Sequence, residues 1–109
     1  MHEMAIVESM VEAAVEHARG ARVKRLKVEI GKLSTVLPDA VRFCFDLAIE
    51  GTDLEGAALE IVEIDGLARC RGCGGSVVLE RPLGVCACGG IELEWTSGMG
   101  VQIVEMEVL

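Results

Sequence analysis

Hydrophobic residues in the first fifty positions follow two different periods. From residue 4 to residue 18 they recur at spacings of three, four and seven, which predicts an amphipathic helix with Gly20 as its C-cap. The predicted buried side of this helix is formed by Val7, Val11, Ala14, Val15 and Ala18. Between Leu26 and Ile30 the period falls to two, which predicts a strand with one buried face and one solvated face.

The later pattern predicts a second helix and two further strands. The helix begins at Pro38, because proline suits the first helical turn, and it runs to about Glu50, just before Gly51. Residues 57–65 and 101–109 are rich in valine, leucine and isoleucine and predict strands. In the last strand the apolar phase slips after Ile103, which predicts a bulge or burial on both faces.

Residues 67–96 differ from the rest of the chain in composition. They contain four of the five cysteines and six glycines, with too few large side chains to form a core of their own. The order of elements predicts an α+β fold, in which two helices cover one face of a three-stranded sheet and a small zinc-ribbon-like domain is inserted. We therefore expect residues 1–66 with 97–109 to form an α/β domain, and residues 67–96 to form an inserted metal-binding domain.

The overall charge limits the classes of partner. Eighteen acidic residues against ten basic ones give a formal charge of −8, which disfavours nucleic acid and favours cations or a basic partner. No apolar run reaches the roughly 18 residues of a membrane span. The start of the chain also lacks the basic and apolar stretches of a signal peptide, so we expect a cytoplasmic protein whose cysteines stay reduced.

The cysteines of residues 67–96 form two short motifs. Cys70 and Cys73 make a C-x-x-C, a spacing that lets two sulfurs reach one metal ion. Cys86 and Cys88 make a C-x-C, one residue shorter than usual, and the expected ligand position before Cys88 holds Val85. Four thiolates around one Zn(II) form a closed structural site, so we predict that these four cysteines bind zinc.

An iron site and a redox dithiol are the two alternatives to a zinc site. Iron can also occupy a four-thiolate site, and the cysteine spacing does not distinguish iron from zinc. The C-x-C spacing also leaves open whether both Cys86 and Cys88 are ligands. A redox dithiol is disfavoured, because the C-x-x-C does not lie between a strand and a helix. Cys44 is expected to be a core residue, since it shares the apolar side of the second helix with Val41, Phe45 and Ala48.

The first three residues predict a second metal site. Because histidine is bulky, we expect Met1 to be retained, with its amine directly before His2. This amine, the backbone nitrogen and Nδ1 of His2, and the backbone nitrogen of Glu3 can surround one ion in a plane, an arrangement that suits Ni(II) or Cu(II). His17 is expected at the surface, about 22 Å along the helix from His2, so the two cannot share an ion.

The whole chain resembles the HypA/HybF family of hydrogenase nickel-insertion accessory proteins. The resemblance rests on the start Met1-His2-Glu3, on Val28-Glu29-Ile30-Gly31-Lys32-Leu33-Ser34, on Pro38-Asp39-Ala40-Val41-Arg42-Phe43, on Glu50-Gly51-Thr52 and on the cysteine motifs. It implies a mixed α/β nickel-binding domain and a separate zinc domain. It also assigns nickel ligation to Met1, His2 and Glu3, and zinc ligation to Cys70, Cys73, Cys86 and Cys88.

The resemblance further implies a nickel metallochaperone that works with the GTPase HypB and delivers Ni(II) to the [NiFe]-hydrogenase large-subunit precursor. We expect a monomer or a weak homodimer. The sequence shows no nucleophile–base pair, phosphate loop or open zinc site, so we do not expect an enzyme. The alternative from another class is a zinc-ribbon protein-interaction adaptor without nickel transfer.

Overall fold

The computed structural model describes residues 3–109, which fold into a mixed α+β structure. The elements are α1 Glu3–Ala18, β1 Val23–Gly31, a 3-10 turn Lys32–Ser34, α2 Pro38–Ala48, β2 Ala58–Ile64, β3 Gly66–Cys70, β4 Ser76–Leu79, β5 Leu93–Ser97 and β6 Val101–Val108. Three-stranded sheets are formed by β2-β1-β6 and by β4-β3-β5. The predicted fold class is confirmed: two helices accompany one three-stranded sheet, and a second small sheet carries the cysteine motifs. Within residues 3–109, no helix has the length and hydrophobicity needed to cross a membrane.

The chain divides into two compact units. One, called here the helical unit, consists of Met1–Val28, Val36–Val62 and Ile103–Leu109. The other, called the cysteine unit, consists of Glu29–Thr35 and Glu63–Gln102. The functional domain boundaries predicted from the sequence, at residues 67 and 96, stay a prediction.

The helical unit has an aliphatic core with one large aromatic residue. Its buried side chains include Val7, Met10, Val11, Ala14, Val23, Leu26, Val28, Val41, Cys44, Phe45, Ile49 and Leu54. Cys44 lies in this core, as predicted, and behaves there as a small apolar residue. Met10 was not predicted to be buried, whereas the predicted core residue Val15 is only half-buried.

The second helix begins at the predicted proline and ends earlier than predicted. Its last residue is Ala48, and the N–H of Ile49 still donates a hydrogen bond to the carbonyl of Phe45. Gly51 then adopts a φ of 76°, a left-handed conformation that costs little only at glycine. The chain therefore turns away from the helix axis two residues before the predicted end.

The solvated face of β1 carries a cluster of charges around Arg25. Its guanidinium forms ion pairs with Glu60 on β2 and with Glu105 and Glu107 on β6. The hydrogen bond from Arg25 to Glu105 raises the pKa of the guanidinium, so the arginine stays charged at every relevant pH. This cluster confirms that one face of the strand is solvated, as the period of two predicted.

The cysteine unit has a much smaller core. Its central strand β3 pairs antiparallel with β4 and with β5. Leu33, Ala68 and Leu79 are buried together, and Val77 and Leu93 pack against them. Gly66 is required here, since a Cβ at that position would lie 2.4 Å from Cγ of Leu33. So few apolar side chains stabilise a fold of this size only weakly.

Candidate metal centre

Four cysteines converge at one end of the β4-β3-β5 sheet. Cys70 is the last residue of β3, Cys73 lies in the turn before β4, and Cys86 and Cys88 lie in the loop before β5. The four sulfur atoms all lie within 4.8 Å of one another. Two contacts cross from one motif to the other: Sγ of Cys70 lies 3.7 Å from Sγ of Cys88, and Sγ of Cys73 lies 3.6 Å from Sγ of Cys86.

These sulfur–sulfur distances fit a tetrahedral thiolate site. With a zinc–sulfur bond of about 2.3 Å, the sulfurs of a regular tetrahedron are separated by roughly 3.8 Å. The observed contacts are far longer than a disulfide bond, which is about 2.05 Å, and all four cysteines are free thiols. The donor set therefore fits one tetrahedral ion with no position left for a substrate.

The two motifs are held by similar backbone hydrogen bonds. In the first, the N–H of Cys70 donates to the carbonyl of Gly75, and the N–H of Gly74 donates to the carbonyl of Cys70. In the second, the N–H of Cys86 donates to the carbonyl of Gly90, and the N–H of Gly89 donates to the carbonyl of Cys86. The second loop is thus a copy of the first, shortened by one residue.

This shortening accommodates the unusual C-x-C spacing. The glycine that directly follows the second cysteine has positive φ in both loops, 78° at Gly74 and 92° at Gly89. Cys86 is buried and takes part in the cluster, whereas Val85 is 62% exposed. Both Cys86 and Cys88 therefore reach the site, and no ligand is needed at the position of Val85.

Among the glycines around the sulfur cluster, Gly90 lies closest to a sulfur atom. A Cβ at this position would be 2.8 Å from Sγ of Cys70 and 3.3 Å from Sγ of Cys88. A side chain there would press on one sulfur from each motif. This residue is glycine because the backbone itself approaches the sulfurs.

The thiols of the cluster differ in acidity. Backbone N–H groups of Cys73 and Gly72 stabilise the Cys70 thiolate and lower its pKa to about 7. The N–H of Gly90 also favours the thiolate of Cys88, but the thiols of Cys73, Cys86 and Cys70 outweigh it and raise the pKa of Cys88 to about 12. Four crowded sulfurs thus resist full ionisation, and a divalent cation is the group that relieves this repulsion.

The predicted nickel ligands are the first three residues of the chain. Met1 and His2 are outside the described residues. Glu3 is half-buried and is the first residue of α1, so the predicted ligand segment leads directly into this helix. His17 is exposed, as predicted for a surface residue.

Comparison with known proteins gives the family. Residues 1–108 match the family model described as hydrogenase/urease nickel incorporation, metallochaperone, hypA. The chain belongs to the HypA family. This family serves nickel incorporation into hydrogenase and urease, which confirms the resemblance seen in the sequence motifs.

Individual HypA proteins match over almost their whole length. The hydrogenase maturation factor HypA of Nostoc punctiforme is 52% identical over 108 residues, which are 99% of this chain and 96% of that protein. The HypA of Geotalea uraniireducens is 42% identical over 109 residues, 99% of each chain. The solution structure of the Ni metallochaperone HypA from Helicobacter pylori superposes with a TM-score of 0.72 at 26% identity, covering 100% of this chain and 98% of that one.

The sequence did not predict several features that shape the HypA cysteine site. It identified the cysteines, but not the strands β3, β4 and β5 that bring them together. The two cysteine-glycine units are visible as a repeat in the sequence, but the hydrogen-bond pattern that their loops share was not predicted. A signal was available, however, because Gly-Gly follows the second cysteine of each motif, at Gly74 and at Gly89.

Proposed function

We propose that this HypA-family protein is a nickel metallochaperone that delivers Ni(II) to the [NiFe]-hydrogenase large-subunit precursor, with the GTPase HypB as its partner. It carries and transfers the ion and does not turn over a substrate. The observation that carries the proposal is the match of residues 1–108 to the nickel-incorporation family. Relatives named hydrogenase maturation factors that cover 99% of the chain favour hydrogenase as the recipient.

In this proposal each metal belongs to its own part of the chain. Residues 67–96 form the zinc domain, where Cys70, Cys73, Cys86 and Cys88 hold Zn(II). When bound, the ion neutralises the thiolates and links β3 to the loop before β5, so its binding energy becomes folding energy. The tetrahedral spacing of the sulfurs and the small apolar core of the cysteine unit support this structural role.

Residues 1–66 with 97–109 form the nickel domain in the same proposal. The amine of Met1, the backbone nitrogen and imidazole of His2, and the backbone nitrogen of Glu3 bind Ni(II). The ion is the cargo, and an exposed site with few ligands lets a carboxylate, thiolate or imidazole of the recipient displace these ligands one by one. A buried all-protein cage would hold the ion too tightly for such ligand exchange.

The nickel site is tested by blocking the terminal amine. The proposal requires this amine to be free, so a two-residue extension before Met1 should abolish binding of one Ni(II) per chain. The measurement is made at about pH 7.5, above the ordinary histidine pKa of about 6.5. Nickel and zinc are measured in the same sample by elemental analysis. Zinc should stay at one per chain, and unchanged nickel binding by the extended protein would rule out the amine site.

The two histidines of the chain provide a matched pair of variants. His2→Ala should lose nickel binding, and in cells that lack their own HypA-family protein it should fail to restore hydrogenase activity at low nickel. His17→Ala should retain both properties, because this side chain is exposed on α1 and distant from the start of the chain. If His2→Ala restores activity as fully as the unchanged protein, a zinc-ribbon adaptor without nickel transfer is the better description.

A further inference from the structure

An open groove of about 570 Å³ lies in the helical unit, between α1 and the turn that follows α2. Val11 and Val15 provide apolar surface inside it. Glu12, Glu16 and Asp53 also line the groove, and none of the described residues in its lining is basic. An apolar interior with an acidic margin has the character of a recognition surface for a basic, amphipathic ligand.

Within residues 3–109, the carboxylates of the groove are not neutralised by an ion pair. The ion pairs of Arg25 and Lys32 are made with other carboxylates, and none of them involves Glu12, Glu16 or Asp53. Glu12 and Glu16 are one helical turn apart, a like-charge spacing that weakens a helix. The two carboxylates on α1 therefore repel each other, and a cationic partner would reduce this repulsion.

Two large apolar side chains are exposed on α2, the helix that precedes the turn in the groove lining. Phe43 is 66% exposed and Leu47 is 49% exposed. They are four residues apart, which places them on one side of α2, and the turn that follows this helix contributes Gly51 to the groove lining. The chain has only three aromatic residues, and one of them, Phe43, is largely exposed to solvent instead of packing in the core. Exposed apolar patches of this kind mark interaction sites.

We propose that this surface docks a basic amphipathic helix of a partner protein. Its aliphatic side chains contact Val15, Leu47 and Phe43, and its lysines or arginines pair with Glu12, Glu16 and Asp53. A second copy of this chain is a poorer occupant, because it brings a net charge of −8 to an acidic surface. A divalent cation is also poorer, since the carboxylates are not grouped closely enough: within residues 3–109, only the four cysteines form a metal-holding cluster.

The test uses a synthetic helical peptide with leucines at spacings of three and four and lysines on the flanks. It is titrated into the full-length, zinc-loaded, isotope-labelled protein without nickel, so that the result does not depend on the nickel proposal. NMR shifts should concentrate at residues 11–16 and 43–53. A peptide with glutamates in place of the lysines should bind at least about tenfold more weakly, and the affinity of the lysine peptide should fall as salt increases.

Matched charge variants separate this site from general attraction to an acidic protein. The double variant E12Q/E16Q should weaken binding of the lysine peptide several-fold, whereas E92Q/E94Q, which removes the same charge from the cysteine unit, should not. Phe43→Ser should also weaken binding while leaving the helical circular dichroism unchanged. Equal losses in both double variants, or shifts spread over the whole surface, would overturn the proposal. So would a dimer of the free protein, seen by sedimentation, that Phe43→Ser dissociates, because the occupant would then be a second copy.

Discussion

The helical unit and the cysteine unit reach a folded state by different means. Most of the largest fully buried side chains belong to the helical unit: Phe45, Leu26, Leu54, Val7, Val28 and Val41. The cysteine unit has the buried Ile30 and the buried cluster of Leu33, Ala68 and Leu79, beside a group of four free thiols. Apolar burial on this scale stabilises the first unit by itself, and we propose that a bound metal adds to the small core of the second.

The two units also differ in spectroscopic signals, which makes the comparison testable. Both α-helices lie in the helical unit, and the one tryptophan, Trp95, lies in the cysteine unit, paired with Ala68 on β3. Helical circular dichroism therefore reports on one unit and tryptophan fluorescence on the other.

Removal of zinc should have the largest effect, confined to the cysteine unit. Structural zinc sites contribute about 10–16 kcal/mol of apparent binding energy in small peptides, so a chelator or Cys70→Ser should unfold the cysteine unit. Trp95, which is 39% exposed in the folded unit, should then become fully exposed, and its emission should shift to the red. The helical signal should persist. Cys44→Ala serves as the control and should still bind one zinc, because Cys44 lies in the helical core. Simultaneous loss of both signals would contradict separate stabilisation.

Replacement of Phe45 should have the next largest effect, and it should act on the helical unit. Phe45 is 1% exposed, so Phe45→Ala leaves a cavity and should lower the free energy of unfolding by about 3–5 kcal/mol. Phe43→Ala, two residues away on the same helix, should change it by less than about 0.5 kcal/mol, since that side chain is largely exposed. Urea unfolding followed by the helical signal measures both variants. Equal effects would mean that Phe43 is also part of the core.

A methyl group beside the sulfurs should weaken the metal site without a change of ligand. In Gly90→Ala the new Cβ would lie 2.8 Å from Sγ of Cys70, and such overpacking costs about 1–3 kcal/mol, equivalent to a loss of about 5-fold to 160-fold in zinc affinity. Gly72→Ala is the matched control, because its Cβ would lie 3.6 Å from the same sulfur, an ordinary contact. Competition with a zinc-binding dye measures both affinities. No difference between the two variants would count against close backbone approach at Gly90.

The charges around Arg25 should have the smallest effect. The ion pairs with Glu60, Glu105 and Glu107 are solvent-exposed, so Arg25→Gln should lower the melting temperature less than Phe45→Ala does. The difference should vanish in about 1 M salt, where such pairs are screened. Lys24→Gln, an exposed neighbour, should have little effect at any salt concentration. A deficit of Arg25→Gln that persists in high salt would point to packing by the arginine stem.

The sequence predicted most elements of the helical unit because the signals there are local. A period near 3.6 marks α1, a proline marks the start of α2, and a period of two marks β1. It was less accurate where the end of an element depends on a turn, as at Gly51. The strands of the cysteine unit were not predicted because they are short and separated by glycine-rich loops, and no alternation lasts long enough to mark them.

The sequence by itself determined which residue types are present and how they are spaced. Periodicity gave two helices and a half-buried sheet, and the spacing of Cys70, Cys73, Cys86 and Cys88 gave a tetrahedral donor set. The tertiary structure decided which distant residues meet. It placed Leu33 in the core with Ala68 and Leu79. It shortened the second cysteine loop, so that Cys86 lies at the sulfur cluster and the exposed Val85 does not. It also formed an acidic groove beside Val15. The physical reason is that periods and spacings act within one turn or one strand, whereas these contacts close long loops and depend on the free energy of the whole fold.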